Sequence, residues 1–145
     1  MTTQDRIIDV LGGAKPLGMK TLAARRSMQP HFRAGLKFSA LESLQRRYQI
    51  PVFQMRALLD ISDRTLARRR ARQMLSKAES DRLYRVARVG ARAEEVLGSI
   101  QATEKWLKEP QPTLGFETPL SLLDTDEGAQ IVGDILGRIE HGVFS

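Results

Sequence analysis

The chain has 145 residues, of which 41% are hydrophobic and 28% are charged, so it can bury the core of one domain or of two small domains that share a core. It has no cysteine, which excludes disulfides and thiol catalysis. Its apolar runs are too short to span a bilayer and no signal-peptide pattern opens it, so we expect a cytoplasmic protein that does not associate with membranes.

The net charge of +6 is distributed unevenly along the chain. Residues 1–36 have six basic and two acidic side chains, residues 37–92 have fourteen and five, and residues 93–145 have three and ten. The basic centre suits a polyanion, whereas the acidic end should be repelled by one. The distribution therefore indicates two surfaces with different partners.

Residues 1–35 have little regular pattern, and we predict that they form a partly ordered N-terminal arm. The segment TQDRIIDVLGG could form a short helix that ends at Gly12 and Gly13. Prolines and glycines then interrupt the sequence as far as Pro30.

From Leu36 onward the apolar residues follow a helical period. Leu41, Leu44 and Tyr48 share one face of a helix, and Pro51 either ends that helix or begins the next. The following segment, PVFQMRALLD, is predicted to be a second helix. The residues predicted to share its apolar face are Val52, Met55 and Leu59.

A short turn leads from this helix into ISDRTLARRRAR, residues 61–72, which has five arginines in twelve positions. Ser62 is a suitable N-cap for a third helix. Asp63 suits the first turn of that helix, where the helix dipole is positive. Leu66 is the apolar residue at the centre of its inward face.

Four further elements follow the arginine stretch. A capping box, SKAE, starts a long helix at Ser76, and a shorter helix, ATEKWLKE, ends before Pro110. Residues 110–119 contain three prolines and a glycine and must form a loop, after which PLSLLDT reads as one helical turn. The last helix starts near Thr125. No segment has a convincing strand pattern, so the predicted fold class is all-α.

Two helices joined by a short turn, the second rich in arginine, indicate a helix-turn-helix at about residues 52–74. An α-helix fits the major groove, where an arginine can donate two hydrogen bonds to a guanine. The residues predicted to contact bases are Arg64, Thr65 and Arg68. Those predicted to hold phosphates are Ser62, Arg69 and Arg72.

The alternative is that this segment is only a solvated charged helix. Two residues favour the alternative: Asp60 stands at a turn position where a helix-turn-helix favours glycine, and Arg56 stands where a small residue usually packs the two helices together. Further arginines beside the segment favour DNA binding, because they extend the basic surface. They are Arg46, Arg47, Arg82, Arg85 and Arg88.

The sequence has no pattern that predicts an enzyme, a metal site or a cofactor. His31 and His141 have no partner at a ligand spacing, and no phosphate-binding glycine loop or nucleophile elbow is present. The acids Asp124, Asp126 and Glu127 could bind a hard cation, but a helix start attracts acids for its own reasons.

The last helix is interrupted by Gly128, Gly133 and Gly137, and each interior glycine costs about 1 kcal/mol relative to alanine. Gly133 and Gly137 lie one turn apart on one face. They predict close approach by another backbone, from this chain or from a partner. The helix is apolar nearly all round, so we expect it to be buried on most sides, partly by another molecule.

The segments LLDTDEGAQIVGDILGRIEHGVF and WLKEPQPTLGFETP resemble the C-terminal domain of the Xre/MbcA/ParS antitoxin family. ISDRTLARRR and LSKAESDRLYRVARVGARAEEVLG are similar to that family's N-terminal part. The resemblance covers roughly residues 50–145. Gln111 and Phe116 depart from its pattern, which commonly has asparagine and glycine there. We accordingly divide the chain into an arm (1–35), a helix-turn-helix DNA-binding domain (36–99) and a toxin-binding domain (100–145).

The resemblance implies an antitoxin of a type II toxin–antitoxin pair whose partner is a RES-domain toxin that depletes NAD. It implies that the C-terminal domain blocks the toxin's active site and that the helix-turn-helix binds operator double-stranded DNA. A cleft that admits anionic NAD should be electropositive, which an acidic, partly apolar chain end would suit. The residues predicted to bind the toxin are Gly133, Gly137, Glu140, Val143, Phe144 and Ser145.

Several alternatives remain open at this point. The chain could be a free-standing dimeric transcription regulator with no toxin partner, or a nucleoid or RNA-binding accessory protein. Val143 and Phe144 could pack back onto Trp106 instead of entering a toxin. We also expect a homodimer, because one helix-turn-helix reads few base pairs and two-fold pairing doubles the contacts.

Overall fold

The structure is a computed structural model that describes residues 2–13 and 35–142, and within these ranges the chain forms seven α-helices and two short 3-10 helices. The α-helices are α1 (Thr3–Val10), α2 (Phe38–Arg47), α3 (Val52–Leu59), α4 (Asp63–Arg72), α5 (Lys77–Leu97), α6 (Ile100–Lys108) and α7 (Asp126–Glu140). The 3-10 helices are Pro112–Leu114 and Leu120–Asp124. The all-α prediction is confirmed: the described residues contain no strand, only one isolated bridge between Lys37 and Met74.

Hydroxyl side chains determine where five of the helices begin. The N-cap residue in each accepts a hydrogen bond from the backbone N–H three residues later, and these residues are Thr2, Ser62, Ser76, Ser99 and Thr125. At Ser76 the predicted capping box is confirmed, because the Ser76 N–H in turn donates to the Glu79 carboxylate at 2.9 Å. Each such cap stabilises its helix by about 1 kcal/mol.

The 21-residue helix α5 is the element on which the others pack. Its inward face is apolar and fully buried, and α1, α3, α6, α7 and the second 3-10 helix lie against it. Three of its arginines reach outward to these neighbours. Arg82 donates to the Leu59 carbonyl at the end of α3, whereas Arg85 and Arg92 bind the two ends of α7.

No helix in the described part of the chain is long and apolar enough to cross a membrane.

The first helix belongs to this core rather than to an arm. The short helix expected over TQDRIIDVLGG is confirmed as α1, and its apolar side chains Ile7, Ile8 and Val10 are buried. They are buried because α1 packs along α5, an arrangement that no local pattern in the sequence announces. The other residues of the predicted arm, 14–34, lie outside the described residues.

A buried carboxylate ties α1 and α2 to α5. Glu94 on α5 accepts hydrogen bonds from Arg6 at 3.2 Å, from Arg47 at 2.7 and 2.8 Å, and from the Tyr48 hydroxyl at 2.6 Å. Burial raises the pKa of the Glu94 carboxyl, but the bonds from Arg47 and Tyr48 lower it by more, so that its pKa lies below the usual value. Burial and this same anion raise the pKa of Tyr48.

Two predictions of burial need correction. In α3 the buried residues are Met55, Leu58 and Leu59, whereas Val52 is 45% exposed because the first turn of the helix projects beyond the core. In α7 the described residues bury one face, at Gly128, Ala129, Val132 and Leu136. Gln130, Ile131, Asp134 and Arg138 are exposed, so the described part of the chain alone does not bury α7 on most sides.

The glycines of α7 therefore differ in kind. A Cβ on Gly128 would overlap the Leu122 carbonyl oxygen, so this residue must be glycine to let the 3-10 helix approach. A Cβ on Gly133 or Gly137 would meet no described atom within 4 Å. Among the described residues, close approach explains the first glycine but neither of the other two.

We expect Gly128→Ala to lower the free energy of unfolding by about 2–3 kcal/mol, because the clash is with a backbone oxygen that cannot move freely. The matched control is Gly133→Ala in the same helix, which should raise stability by up to about 1 kcal/mol since it has open space and better helix propensity. Urea unfolding followed by circular dichroism measures both. Equal effects of the two substitutions would contradict this account of α7.

Candidate functional site

The turn between α3 and α4 has the geometry of a helix-turn-helix. Asp60 ends α3 with φ 55° and ψ 52°, the left-handed conformation that a glycine would adopt easily. Aspartate tolerates this conformation better than most residues, because its short polar side chain can bond locally. The N–H of Ile61 donates to the Arg56 carbonyl at 3.1 Å and closes the turn. Asp60 is therefore compatible with this turn.

Arg56 bridges the two helices instead of letting them pack closely. It forms an ion pair with Asp63 at the start of α4, with 3.0 Å between Nε and Oδ1. The contact is one of charge, since the Nε–H has no acceptor in line with it. This ion pair partly neutralises the Asp63 carboxylate, which lies at the N-terminus of α4, where a DNA phosphate would approach.

Leu66 is the buried side chain of α4, as its predicted role as inward anchor requires. On the outer side Arg64, Arg68 and Arg72 are exposed at a spacing of four residues, which places them along one stripe of the helix. Within the described ranges, the structure gives these three guanidinium groups no ion pair or hydrogen bond. Their charges are therefore available to a polyanion.

Ser62 and Thr65 lie together at the start of α4. The Thr65 N–H donates to Ser62 Oγ at 3.1 Å, and the two hydroxyl oxygens are 3.2 Å apart. Ser62 is thus occupied as the N-cap, while the first N–H groups of α4 point out of the helix end as donors for an anion. The predicted phosphate contact at Ser62 fits these backbone groups better than its hydroxyl.

Arg69, which the sequence predicts as a phosphate ligand, has a structural partner. Its Nε and Nη2 donate to the two oxygens of Glu79 at 2.7 and 3.0 Å, and the Glu79 side chain is only 5% exposed. Burial raises the pKa of the Glu79 carboxyl, but the bonds from Arg69 and the Ser76 N–H lower it by more, to below its usual value. Arg69 fastens α4 to the start of α5.

Arg70 is an exposed cation on α4 that the sequence reasoning did not assign. Its guanidinium lies 5.5 Å from the centre of the Phe38 ring, a cation–π contact that holds it beside the start of α2. The arginine count of the segment gave no sign of which arginines would be held in this way. The described basic surface of α4 therefore consists of the Arg64, Arg68 and Arg72 stripe with Arg70 to one side.

The second surface lies on the open side of α7. Gly133, Asp134, Gly137, Arg138 and His141 line a shallow depression of about 400 Å³. Because a side chain at either glycine would meet no other part of the described chain, the backbone of α7 is accessible there. This geometry allows another molecule to approach the helix closely.

Glu140, which the sequence predicts as a toxin contact, is paired with an arginine of the same chain. Arg92 of α5 donates to both of its oxygens, at 2.6 and 2.7 Å. These bonds lower the pKa of the Glu140 carboxyl below its usual value. Glu140 fixes the end of α7 onto α5. The other predicted tail contacts, Val143, Phe144 and Ser145, lie outside the described residues.

The acids proposed as a possible cation site are also accounted for in part by the fold. Asp126 forms an ion pair with Arg85 of α5 at 2.8 Å. The described residues contain no group of three or more side chains that could hold a metal ion.

Comparison with known proteins gives matches to both halves of the chain. Residues 27–88 match a family model described as the antitoxin Xre-like helix-turn-helix domain, and residues 92–142 match one described as the antitoxin Xre/MbcA/ParS C-terminal toxin-binding domain. The two spans meet within α5.

Curated relatives align with both halves together. A protein named Antitoxin Xre from Yersinia enterocolitica is 34% identical over 77% of this chain and 76% of its own length. Another of the same name from Photorhabdus laumondii is 31% identical over 87% of this chain and 89% of its own. A protein named Prs ADP-ribosylating antitoxin from a Sphingobium species is 32% identical over 50% of this chain and 52% of its own.

We expect Arg69→Ala to lower the free energy of unfolding by about 2–3 kcal/mol, because it leaves the Glu79 carboxylate buried without its cation. The matched control is Arg72→Ala on the exposed stripe, which should change stability by less than about 0.5 kcal/mol but weaken binding to duplex DNA. Thermal unfolding and fluorescence anisotropy measure the two effects. If Arg69→Ala stays as stable as the parent and loses DNA binding like Arg72→Ala, Arg69 is a phosphate ligand after all.

Proposed function

This chain belongs to the antitoxin Xre family, and on that basis we propose that it neutralises a RES-domain toxin and represses its own operon. In this proposal the open side of α7 covers the active site of a toxin that consumes NAD, and α4 reads operator DNA. The observation that carries the proposal is that relatives named as antitoxins align with the helix-turn-helix and the toxin-binding segment as one unit. Both activities would take place in the cytoplasm.

Three features of α4 support binding to operator DNA. The helix is fastened at both ends, by the Arg56–Asp63 pair and by the Arg69–Glu79 pair, so that its outer stripe has a fixed orientation. The stripe consists of arginines, which can bind guanine through two hydrogen bonds. The carboxylates of Asp63 and Glu79, near the two ends of the helix, are paired with arginines, which reduces their repulsion of phosphates.

A single α4 helix contacts only a few base pairs, so we propose that two copies bind a two-fold symmetric operator. The acidic residues of the C-terminal half would then be directed away from DNA. This arrangement agrees with the charge of residues 93–145, which have ten acidic and three basic side chains.

The toxin-binding role of α7 is supported by its uncovered glycines. A glycine inside a helix costs stability, and at Gly133 and Gly137 the described residues provide no contact in return. A toxin backbone that lies against these residues would supply the missing contact. We propose that residues 143–145 add to this interface, since they continue directly from the end of α7.

The Sphingobium relative favours a second candidate for the partner. Its name refers to ADP-ribosylation, a group transfer that consumes NAD. Such a transfer does not require depletion of the cellular NAD pool. The toxin of the present chain could therefore modify a cellular protein instead of depleting NAD. Both candidate toxins would bind NAD in a cleft. Cells that express the first would lose NAD, whereas cells that express the second would contain an ADP-ribosylated protein.

We expect Arg68→Ala to weaken operator binding by about 1–3 kcal/mol while leaving non-specific duplex binding nearly unchanged, because a base contact is lost. Arg72→Ala should weaken binding to all sequences alike and reduce its salt dependence, because it removes a phosphate contact. Titrations at several salt concentrations measure both. Uniform weakening by Arg68→Ala would contradict its base-reading role.

We expect a RES-domain protein to be encoded beside this chain's gene, cells that express it to stop growing and to lose NAD, and co-expression of this chain to restore both. Gly137→Leu should fold normally, since its site is open, yet fail to restore growth because the side chain blocks close approach. Arg68→Ala is the control and should restore growth fully. Deletion of residues 143–145 tests the tail in the same assay.

The outcomes separate the candidates. Arrested growth with a normal NAD content and a newly ADP-ribosylated protein would favour the second candidate. Full rescue by Gly137→Leu would contradict the placement of the interface on α7. The protein encoded beside this chain's gene should be toxic, and this chain should relieve that toxicity. If either result fails, the chain is a transcription regulator without a toxin partner.

A further inference from the structure

The loop between α6 and the second 3-10 helix presents an aromatic side chain to solvent. Phe116 is 71% exposed, the highest value among the exposed large apolar side chains of the described residues. A phenyl ring in this position keeps its apolar surface in water and contributes nothing to the core. A single exposed apolar side chain is ordinary on a protein surface, so the exposure of Phe116 carries weight only together with a second unusual feature of the same residue.

Backbone hydrogen bonds hold this loop in one shape. The Gln111 N–H donates to the Glu117 carbonyl at 3.0 Å, and the Phe116 N–H donates back to the Gln111 carbonyl at 2.9 Å. Inside this closure the Leu114 and Gly115 N–H groups donate to Gln111 and Pro112. The ring is therefore carried on a preorganised support, which reduces the entropy lost when such a residue binds.

The backbone of Phe116 is also strained. Its φ is +67°, in the left-handed region that bulky residues avoid, and the preceding Gly115 has φ +62°. Exposure and strain are two unfavourable features of one residue, and a glycine would remove both. The Phe116 N–H bond to Gln111 holds the backbone in this conformation, but the mostly exposed ring gains little from the described chain, which points to a contact made with another molecule.

The charges around the loop indicate the chemistry of that molecule. Residues 93–142 have three basic and ten acidic side chains, and the exposed acids Glu109 and Glu117 flank the loop. DNA would be repelled, and the same surface of a second copy would be repelled as well. A protein with an apolar pocket and a basic rim would be attracted. The matched family model describes this part of the chain as toxin-binding.

We propose that Phe116 is an anchor residue of the toxin interface, inserted into an apolar pocket of the toxin whose basic rim faces Glu109 and Glu117. The inference rests on the proposed function and extends it, because it adds a contact outside α7 and its tail. Anchors of this kind are aromatic, rigidly held and surrounded by polar residues.

The test measures the affinity of the purified chain for the purified RES-domain protein by titration calorimetry. Phe116→Ala and Phe116→Gly should each lower the affinity at least tenfold. Phe116→Gly should also keep or raise the unfolding midpoint, since glycine adopts φ +67° without strain. Loss of binding by a variant that folds at least as well as its parent cannot come from unfolding.

Two further variants sharpen the test. Phe53→Ala is the matched control, because Phe53 is 67% exposed on α3, in the helix-turn-helix, and its removal should change toxin affinity less than twofold. The double variant Glu109→Lys with Glu117→Lys should slow association, with a smaller difference at high salt, if the pocket rim is basic.

Binding by the parent chain together with unchanged affinity of Phe116→Ala and Phe116→Gly would overturn the inference and leave the proposed function standing. The same variants turning a dimer of the free chain into a monomer, with toxin affinity unchanged, would assign Phe116 to a second copy and also overturn it. Failure of the parent chain to bind the RES-domain protein would remove the proposed function and this inference together.

Discussion

One unbroken helix, α5, carries the attachments of both functional surfaces. Near its start Glu79 holds Arg69 of α4, and further along Arg85 and Arg92 hold the two ends of α7. Between these points its inward face is buried by α1, α3 and α6. A helix of this length is a stiff rod, so the orientation of α4 is fixed relative to α7. The two matched family models meet within this helix, and the fold therefore offers no hinge there at which the halves could separate.

The same constraint sorts the arginines of the chain by task. Arg47, Arg69, Arg85 and Arg92 each bind a carboxylate across two elements, which uses their charge inside the fold. The carboxylates Glu79 and Glu94 are buried, and a buried anion is tolerated only when it is paired and hydrogen-bonded. The exposed stripe on α4 has no such partner. The arginine stripe of α4 thus remains available to an external anion.

Local features of the structure were predictable from the sequence, and long-range pairings were not. The N-cap at Ser62, the capping box at Ser76 and the inward position of Leu66 follow from neighbouring residues and were found. Arg69 was predicted to hold a phosphate. It nevertheless lies three residues after the inward Leu66, on the same side of α4, and Glu79 belongs to the capping box predicted at Ser76. Glu140 and Arg92 are 48 positions apart, and no periodicity connects them. The Glu94 cluster was missed for the same reason, since its three partners come from residues 6, 47 and 48.

The glycines of α7 separate what the chain does for itself from what it leaves for a partner. Gly128 is required by the chain, because the Leu122 carbonyl occupies the space of a side chain. Gly133 and Gly137 weaken the helix by about 1 kcal/mol each relative to alanine, and no described atom uses the room they provide. These glycines make α7 less stable than a helix with alanine at the same positions. A partner that binds the open face would stabilise the folded chain by mass action. Because Arg85 and Arg92 hold both ends of α7, the helix stays in place without that partner, and the accessible backbone between them is preformed.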